Sequence, residues 1–241
     1  MVSPQSASGW TGHRAPRNRL LESLSVDDWA GVEPLLERVQ LTVSQVLEPS
    51  GEASPWLHFP ESAVIAMVTT FADGRRVEVG TVGNDGMCGM SAWLEAAHDG
   101  SQSLCHIAGA ALRGRAVDII AVAARRPTIH RLLSRYASAY LGLVEQGTAC
   151  NRIHPLERRC ARWLLMTRDR LPSAHLLLTL DMLAIMLGVP HGGATIAIQA
   201  LRRHGLIRAS RDRIDIMDRP GLERMSCECY QVVRHQFARI A

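Results

Sequence analysis

The sequence predicts an α+β fold with three parts: an N-terminal β-roll of the jelly-roll type, a long dimerisation helix and a C-terminal winged helix-turn-helix. Three observations predict it. Short β-like segments separated by turn residues fill the region from Val39 to about Ile120. A helical stretch with heptad spacing follows from Pro127 to about Asn151. Two short amphipathic helices and a basic hairpin then occupy residues 176–216.

The first part begins with a tail and a helix. Residues 1–18 are rich in Ser, Gly, Pro and Arg, which predicts a disordered tail. Helical spacing of apolar residues from Arg19 to Arg38 predicts the first helix, and the β-roll domain is expected to span residues 19–126. Within it, Asp73-Gly74 separates two β-rich runs, and this dipeptide favours the tight turn of a hairpin.

The helix predicted over residues 127–151 carries an apolar seam. Its members recur at alternating steps of four and three and are Ile129, Leu133, Tyr136, Tyr140 and Leu143. Such a seam needs a partner surface. Either it packs on its own β-roll, or it faces a second protomer while another apolar row contacts the roll. We favour the second arrangement, which predicts a homodimer.

Residues 152–241 are predicted to form the winged helix-turn-helix domain. Gly188 supplies the positive φ that the turn between the two helices requires. Residues 208–216 alternate polar and apolar side chains after a polar tip, as a short hairpin or wing does. This arrangement presents the second helix to the DNA major groove and the wing to the adjacent backbone.

Charge is divided unevenly along the chain. Residues 1–150 contain 12 Arg and 15 Asp plus Glu, a balance of −3, whereas residues 151–241 contain 15 and 8, a balance of +7. The basic half is the half with the helix-turn-helix, as expected when a DNA-backbone binder is joined to an acidic regulatory domain. Double-stranded DNA and a second copy of the chain are the expected partners, with RNA polymerase as a further candidate.

The candidate DNA-binding residues lie on the second helix and the wing. His191, Thr195 and Gln199 recur every four residues, opposite the apolar stripe of that helix. Gln pairs with adenine, the Thr methyl contacts a thymine methyl, and His is a weaker guanine donor. The other candidates are arginines expected to hold phosphates without reading sequence. They are Arg202, Arg203, Arg208, Arg211 and Arg213.

In its order of parts the chain resembles the Crp/Fnr superfamily of bacterial transcription regulators, over about residues 20–230. Matching fragments include Phe59-Pro60-Glu61, residues 83–89, Ala149-Cys150-Asn151-Arg152 and Gly205-Leu206-Ile207-Arg208. The resemblance implies a β-roll of the cyclic-nucleotide-binding type, a dimerisation helix and a DNA-reading domain. It also implies that effector binding or a redox change alters the angle between two DNA heads.

The resemblance further implies an effector pocket in the β-roll. Its residues are Gly86, Met87, Cys88, Gly89, Met90, Gln102 and Ser103. In nucleotide-binding members, a Gly-Glu pair reaches the ribose and an Arg-Ser pair grips the cyclic phosphate. Here Met90 follows Gly89 and the later pair is Gln102-Ser103, so the acceptor and the cation are both missing. The sequence therefore argues against cyclic AMP as the effector.

The positions of the cysteines and histidines limit which cofactors are expected. The six cysteines are scattered, which predicts neither a disulfide framework nor a metal site. Cys227-Glu228-Cys229 is a CxC pair without a second pair at metal-ligand spacing, and is interpreted as two thiols on a terminal helix. Iron–sulfur members need cysteines near the N-terminus, so a cluster is not expected here. A haem sensor through His58, His98 or His106 stays open, as does another small-molecule ligand.

Two alternatives to a DNA-binding regulator remain. An enzyme would need converging His and Glu side chains, but His58, His98, His106 and Glu61 lack the His-x-His spacing of metal-dependent cupins. The other alternative is a degenerate member that dimerises and binds a protein partner. No apolar run reaches the length of a membrane span and no signal-peptide pattern is present, which predicts a cytoplasmic protein without a membrane partner.

Overall fold

Two antiparallel sheets form the β-roll in the computed structural model, which describes residues 15–95, 100–173 and 175–240. The described strands of the roll are β1 (Glu37–Leu41), β2 (Val46–Glu48), β3 (Trp56–Pro60), β4 (Val64–Thr70), β5 (Arg76–Val82), β6 (Ser101–Ile107) and β7 (Gly109–Arg115). One sheet has the order β1-β7-β3 and the other β2-β6-β4-β5. Leu41, Ile65 and Cys105 lie in the buried core of the roll. The predicted α+β class is confirmed.

The predicted hairpin joins β4 and β5. These strands pair antiparallel with Thr70 opposite Arg76. Gly74 has a φ of +82°, a conformation that costs glycine little and other residues more. The Asp73 carboxylate accepts hydrogen bonds from the backbone and side chain of Arg75, which closes the turn.

The end of the predicted disordered tail is ordered, which corrects the boundary at residue 18. Asn18 is fully buried, and its side-chain amide donates to the carbonyl oxygens of Pro60 and Gly86, both at 2.8 Å. Its Oδ1 also accepts from the backbone N–H groups of Leu20 and Leu21 and so caps the first helix. Residues 1–14 lie outside the described residues.

The single helix predicted over Arg19–Arg38 is wrong, because a second cap interrupts it. The segment forms α1 (Arg19–Glu22), α2 (Val26–Val32) and a 3₁₀ turn (Glu33–Leu35). The Ser25 hydroxyl accepts from the backbone N–H of Asp28 and starts α2 as a new helix. Glu37 and Arg38 already belong to β1.

The β pattern predicted to reach Ile120 stops earlier. After β5 the chain forms the short helix α3 (Met90–Trp93), and β7 leads directly into α4 (Ala116–Arg125). Ala116, Ile119 and Ala123 are buried at helical spacing against the roll. Helical periodicity therefore begins at Ala116, and the extension of the β pattern to about Ile120 is wrong.

The long helix α5 (Pro127–Ile153) is confirmed, but its apolar seam faces the protein itself. Ile129, Leu133 and Tyr136 share one buried cluster with Leu57 and Phe59 of β3. Tyr140 is partly buried beside that cluster, and Leu143 is buried in a second one. The seam cannot face another protomer while it fills these cores, so our preferred interpretation of it is wrong. The alternative, packing on its own β-roll, is the one observed.

The C-terminal part contains the predicted helix-turn-helix and wing. Its elements are α6 (Leu156–Asp169), β8 (His175–Leu177), α7 (Leu180–Leu187), α8 (His191–Arg203), β9 (Ile207–Ala209), β10 (Arg213–Ile216), α9 (Arg219–Met225) and α10 (Cys229–Phe237). α7 and α8 meet at a bend of 100°. Gly188 has a φ of +63° at this corner. β9 and β10 form the wing hairpin, and β8 adds a third strand that the sequence did not indicate.

The two halves of the chain share a buried core. Val64, Ala66 and Val68 of β4 belong to the same cluster as Leu164 of α6 and Leu187 of α7. The C-terminal helix α10 packs along α5. The long helix therefore contacts the β-roll on one side and the end of the chain on another. This packing explains why its seam is covered.

One further property concerns helix length. No single helix among the described residues is both long and apolar enough to cross a membrane. Helices α7 and α8, which meet at a bend, are long and apolar enough only when the two are counted as one segment.

Candidate DNA-binding surface and sensor interior

One face of α8 is exposed and carries the predicted base-contacting residues. The opposite face is held in the core by Ala194, Ala197 and Leu201, all of which are fully buried. His191 and Gln199 are exposed, whereas Thr195 is half-buried and its hydroxyl donates to the carbonyl oxygen of His191 at 3.1 Å. The structure therefore brings the three predicted residues to one side of the helix.

A fourth residue on this surface was missed by the sequence reasoning. Ile196 is 59% exposed, although it lies in a helix whose other large apolar side chains are buried. Ile196 follows Thr195 on the turn that carries the predicted polar stripe. The sequence indicated that Ile196 would be exposed, because this residue falls outside the spacing of Ala194, Ala197 and Ile198, which form the buried face of the helix.

The predicted phosphate-binding arginines fall into two groups. Arg202, Arg203, Arg208 and Arg211 are exposed around α8 and the wing. Arg213 is half-buried, and its Nε donates to Asp215 at 2.9 Å while its Nη2 lies 2.7 Å from Nδ1 of His175. Hydrogen bonds from Arg213 lower the pKa of Asp215, which keeps this carboxylate ionised. The charge of Arg213 is therefore paired inside the wing sheet and differs from the four exposed arginines.

A groove separates α8 from the wing. Its volume is about 180 Å³, and its lining includes Thr195, Gln199, Arg202 and Ser210. At the start of α8, a Cβ added to Gly192 would meet nothing within 4 Å. The backbone there is open to close approach, and the first N–H groups of a helix are favourable partners for phosphate.

Two of the predicted pocket residues, Cys88 and Ser103, lie beside a buried carboxylate. Glu48 of β2 is 2% exposed, and its two oxygens accept hydrogen bonds from the hydroxyls of Ser91 and Ser103. Cys88 lies in the same interior, where burial and the charge of Glu48 raise its pKa to about 12. The sequence reasoning missed Glu48, because this residue lies outside every fragment that carried the resemblance.

The remaining predicted pocket residues do not share one environment in the β-roll. Met87 belongs to the cluster under α5, and its carbonyl oxygen accepts from the Tyr136 hydroxyl at 2.9 Å. Gly86 lies directly under the Tyr136 ring, where a Cβ would clash. Gly89, with a φ of +107°, precedes α3, and Met90 is only half-buried.

The Gln102 side chain does not face the interior of the β-roll, because successive side chains on a strand point to opposite faces. Ser103, its neighbour on β6, is fully buried and donates to Glu48, so Gln102 projects from the opposite face. The predicted pocket as a set is therefore not assembled: Cys88 and Ser103 line the interior, while Met87 and Gln102 do not.

The histidines considered for haem are part of the packed core where the structure describes them. His58 is 3% exposed, and burial, followed by the charge of Arg113, lowers its pKa to about 4. His106 is 1% exposed and meets the Trp163 ring edge-on at 5.7 Å between ring centres. Burial lowers the pKa of His106 to about 4 as well. His98 lies outside the described residues.

Polar contacts join the β-roll to the C-terminal domain. The indole N–H of Trp163 donates to Glu78 at 2.9 Å, and Arg170 Nε donates to Asp85 at the same distance. Burial raises the pKa of Glu78 to about 7, opposed by hydrogen bonds from Thr81 and Trp163 and by the charges of Arg162 and Arg170. These contacts connect β5 and the turn after it to α6, the helix that leads into the helix-turn-helix.

The fold and these surfaces together define a class: a β-roll joined by a long helix to a winged helix-turn-helix. The comparison with protein families agrees. Residues 158–225 match the model of the Crp-like helix-turn-helix domain. Comparison with curated proteins gives no match.

Solved structures of similar fold cover most of the chain. A CRP-family transcriptional regulator from Thermus thermophilus is 20% identical, with a TM-score of 0.64, over 78% of this chain and 96% of that one. FixK2 from Bradyrhizobium japonicum is 14% identical, with a TM-score of 0.69, over 80% and 98%. The c-di-GMP-responsive regulator CLP of Xanthomonas campestris is 14% identical, with a TM-score of 0.61, over 80% and 99%.

The resemblance to the Crp/Fnr superfamily is thereby confirmed. The chain has the fold of solved Crp/Fnr-family regulators, and residues 158–225 match the Crp-like helix-turn-helix domain.

Proposed function

We propose that this protein is a homodimeric, sequence-specific DNA-binding transcription regulator without enzymatic activity. The observation that carries the proposal is the exposed face of α8, where His191, Gln199 and Ile196 lie beside exposed arginines in a Crp-like helix-turn-helix domain. The four segments predicted from the sequence are kept in this proposal, except that the tail ends before Asn18.

Base reading and phosphate binding are assigned to different residues. Gln199 is placed to pair with adenine, and Ile196 to contact a thymine methyl. Arg202, Arg203, Arg208 and Arg211 are assigned to phosphate contacts that fix the position of α8 in the groove, because all four are exposed. Arg213 is assigned a supporting role, because it orders the wing through Asp215.

The first test is a gel shift against genomic fragments with a salt titration. For the double variant Arg202→Gln/Arg211→Gln, we expect weaker binding to all sequences and a salt slope reduced by about 0.9 for each phosphate that is no longer neutralised. For Gln199→Ala we expect a loss on the order of 1 kcal/mol at selected base pairs, with an unchanged salt slope.

Arg115→Gln is the matched control, because Arg115 is an exposed arginine of the β-roll. It should leave both affinity and salt slope unchanged. Binding that is insensitive to salt, or an Arg202→Gln/Arg211→Gln protein that binds like the unmodified one, would contradict the assignment of these arginines.

A second prediction concerns the sensor. Cyclic AMP and cyclic GMP are expected to produce no measurable heat in calorimetric titration at physiological concentrations. The carboxylate of Glu48 stands beside Ser103 inside the roll and would repel a cyclic phosphate, while Gln102 projects away and supplies no cation. A dissociation constant in the low micromolar range for either nucleotide would overturn this prediction.

Dimerisation is proposed through the side of α5 that the protein leaves exposed. Arg131, Arg135, Ser138 and Glu145 lie on it, and the neighbouring Leu141 is 58% exposed. An apolar side chain exposed on a long helix fits burial against a second copy of the same helix.

We expect the unmodified protein to sediment as a dimer at micromolar concentration and Leu141→Asp to sediment as a folded monomer with weaker DNA binding. Ser138→Asp adds a charge on the same face without removing apolar area and serves as the comparison. A monomeric unmodified protein would exclude the homodimer.

A further inference from the structure

Four side chains that are distant in sequence converge at the end of α5. Cys150 lies in the last turn of α5, His154 follows the helix, Cys227 lies between α9 and α10, and Cys229 begins α10. Their sulfur and nitrogen atoms all lie within 4.8 Å of one another. The CxC pair is therefore not isolated, because Cys150 and His154 lie beside it.

Two of the distances in this cluster match those of a tetrahedral metal site. Sγ of Cys150 is 3.5 Å from Sγ of Cys227, and Sγ of Cys229 is 3.6 Å from Nδ1 of His154. Zinc–sulfur bonds of about 2.3 Å in a tetrahedron place neighbouring sulfurs about 3.8 Å apart. A disulfide needs about 2.05 Å between sulfurs, so the separation suits a shared ion better than a covalent bond.

All six cysteines are buried, and it is their surroundings that set these three apart from the others. Cys150, Cys227 and Cys229 are each at most 2% exposed, and together they form a buried cluster of their own. Cys105 and Cys160, in contrast, are buried within larger apolar cores. A cluster made of thiols alone lacks the aliphatic neighbours that usually surround a buried cysteine, whereas metal coordination explains why the three sulfurs meet.

Surrounding polar groups orient the cluster. Nε2 of His154 lies 3.2 Å from a carboxylate oxygen of Glu228, while Nδ1 faces the sulfurs. A carboxylate on the second nitrogen is the usual partner of a metal-binding histidine, because it fixes the tautomer and the ring orientation. The side-chain amide of Gln146 donates to Sγ of Cys229 at 3.0 Å, a contact that a metal-bound thiolate accepts well.

Nearby charge also matches a thiolate-rich site. Three thiolates, one neutral imidazole and one divalent ion carry a net charge of −1. Arg159 and Arg162 of α6 are close enough to act electrostatically on Cys150 and Cys227. Their positive charges offset the buried negative charge of the loaded site.

We propose that Cys150, His154, Cys227 and Cys229 bind one zinc ion as a structural Cys₃His site. Three cysteines and one histidine are a common zinc ligand set, and four protein ligands leave no open position for catalysis. The ion joins the C-terminal end of α5 to the segment before α10. His154 and Pro155 form the break between α5 and α6, so the site holds the bend from which the helix-turn-helix domain is oriented.

The test is metal analysis of the reduced full-length protein, purified with zinc present. We expect about one zinc per chain and little iron. After removal of zinc by a chelator, cobalt(II) should give the visible absorption of a tetrahedral thiolate site, and zinc should displace it. Chelation should also lower the thermal unfolding midpoint, because an ion that binds only the folded state stabilises it.

Variants separate this site from the other cysteines. Cys229→Ser and His154→Ala should lose most of the bound zinc and the cobalt absorption. Cys160→Ala and Cys105→Ala are matched controls in buried cysteines and should retain both.

Three outcomes would overturn the proposal. They are reduced unmodified protein that binds neither zinc nor cobalt, iron and sulfide in place of zinc, and loss of metal from Cys160→Ala equal to that from Cys229→Ser. The cobalt titration uses the unmodified protein, so it decides the question even where a variant fails to fold.

Discussion

Replacing Tyr136 by Ala is expected to destabilise the protein by about 3 to 5 kcal/mol. Tyr136 is fully buried, packs edge-on against Phe237 with 6.2 Å between ring centres, and donates its hydroxyl to Met87 at 2.9 Å. It therefore joins α5 to both the β-roll and the end of the chain. Truncation leaves a large cavity above Gly86 and leaves the Met87 carbonyl without its hydrogen bond from the Tyr136 hydroxyl.

Urea unfolding measures this effect, with Tyr136→Phe as the control. The Phe variant keeps the ring and loses one hydrogen bond, so a cost of about 1 kcal/mol is expected. The measurement also distinguishes the two interpretations of the apolar seam. A Tyr136→Ala protein with nearly unmodified stability but impaired association would contradict packing within the chain and restore the seam as a contact between protomers.

The second large effect is a dependence of stability on pH that arises from Glu78. Burial raises the pKa of this carboxyl from 4.5 to about 7, so the folded protein favours the protonated form. The preference of the folded state for the protonated Glu78 carboxyl contributes fully to the free energy of unfolding below pH 4.5. This contribution is lost as the pH rises through about 7. At 1.36 kcal/mol per pKa unit, the loss is on the order of 3 kcal/mol.

Glu78→Gln isolates this effect, because the amide has the same shape and does not titrate. The difference in unfolding free energy between Glu78→Gln and the unmodified protein should grow in favour of the variant from about pH 5 to about pH 8. Other titrating groups contribute equally to both proteins and cancel in the difference. A difference that stays constant over this range would show that Glu78 does not titrate in it.

The contact affected by this titration lies between domains. Glu78 is on β5, and its partner Trp163 is on α6. Trp163→Phe removes the N–H donor and keeps most of the apolar contact, so it should weaken the docking of the C-terminal domain. Limited proteolysis of the link between α5 and α6 reports that docking independently of DNA.

Patterns that depend on near neighbours in sequence were predicted well. Asp73-Gly74 forms its hairpin, Gly188 turns the helix-turn-helix, and residues 207–216 form the wing, because each depends on backbone conformations that a few local residues determine. Helix boundaries were predicted less well. The hydroxyl of Ser25 caps a new helix and so interrupts the single helix that was predicted. The spacing of apolar residues does not reveal such a cap.

The seam of α5 shows the limit of periodicity. A row of apolar residues requires a partner surface, but its spacing is the same whether that surface belongs to the same chain or to another copy. The residues of the predicted effector pocket are separated for a related reason. Met87 and Cys88 are adjacent in sequence yet contact different cores, and Glu48 reaches the interior from a strand that carried no motif.

The sequence by itself determined the order of a β-roll, a long helix and a winged helix-turn-helix, together with the face of α8 that carries His191 and Gln199. Hydrophobic period, turn chemistry and charge are properties of neighbouring residues, and these suffice for such features. Only the tertiary structure decided that the α5 seam is covered, that Glu78 meets Trp163, and that Cys150 and His154 meet Cys227 and Cys229. Each of these contacts joins residues far apart in the chain, and packing alone brings them within reach.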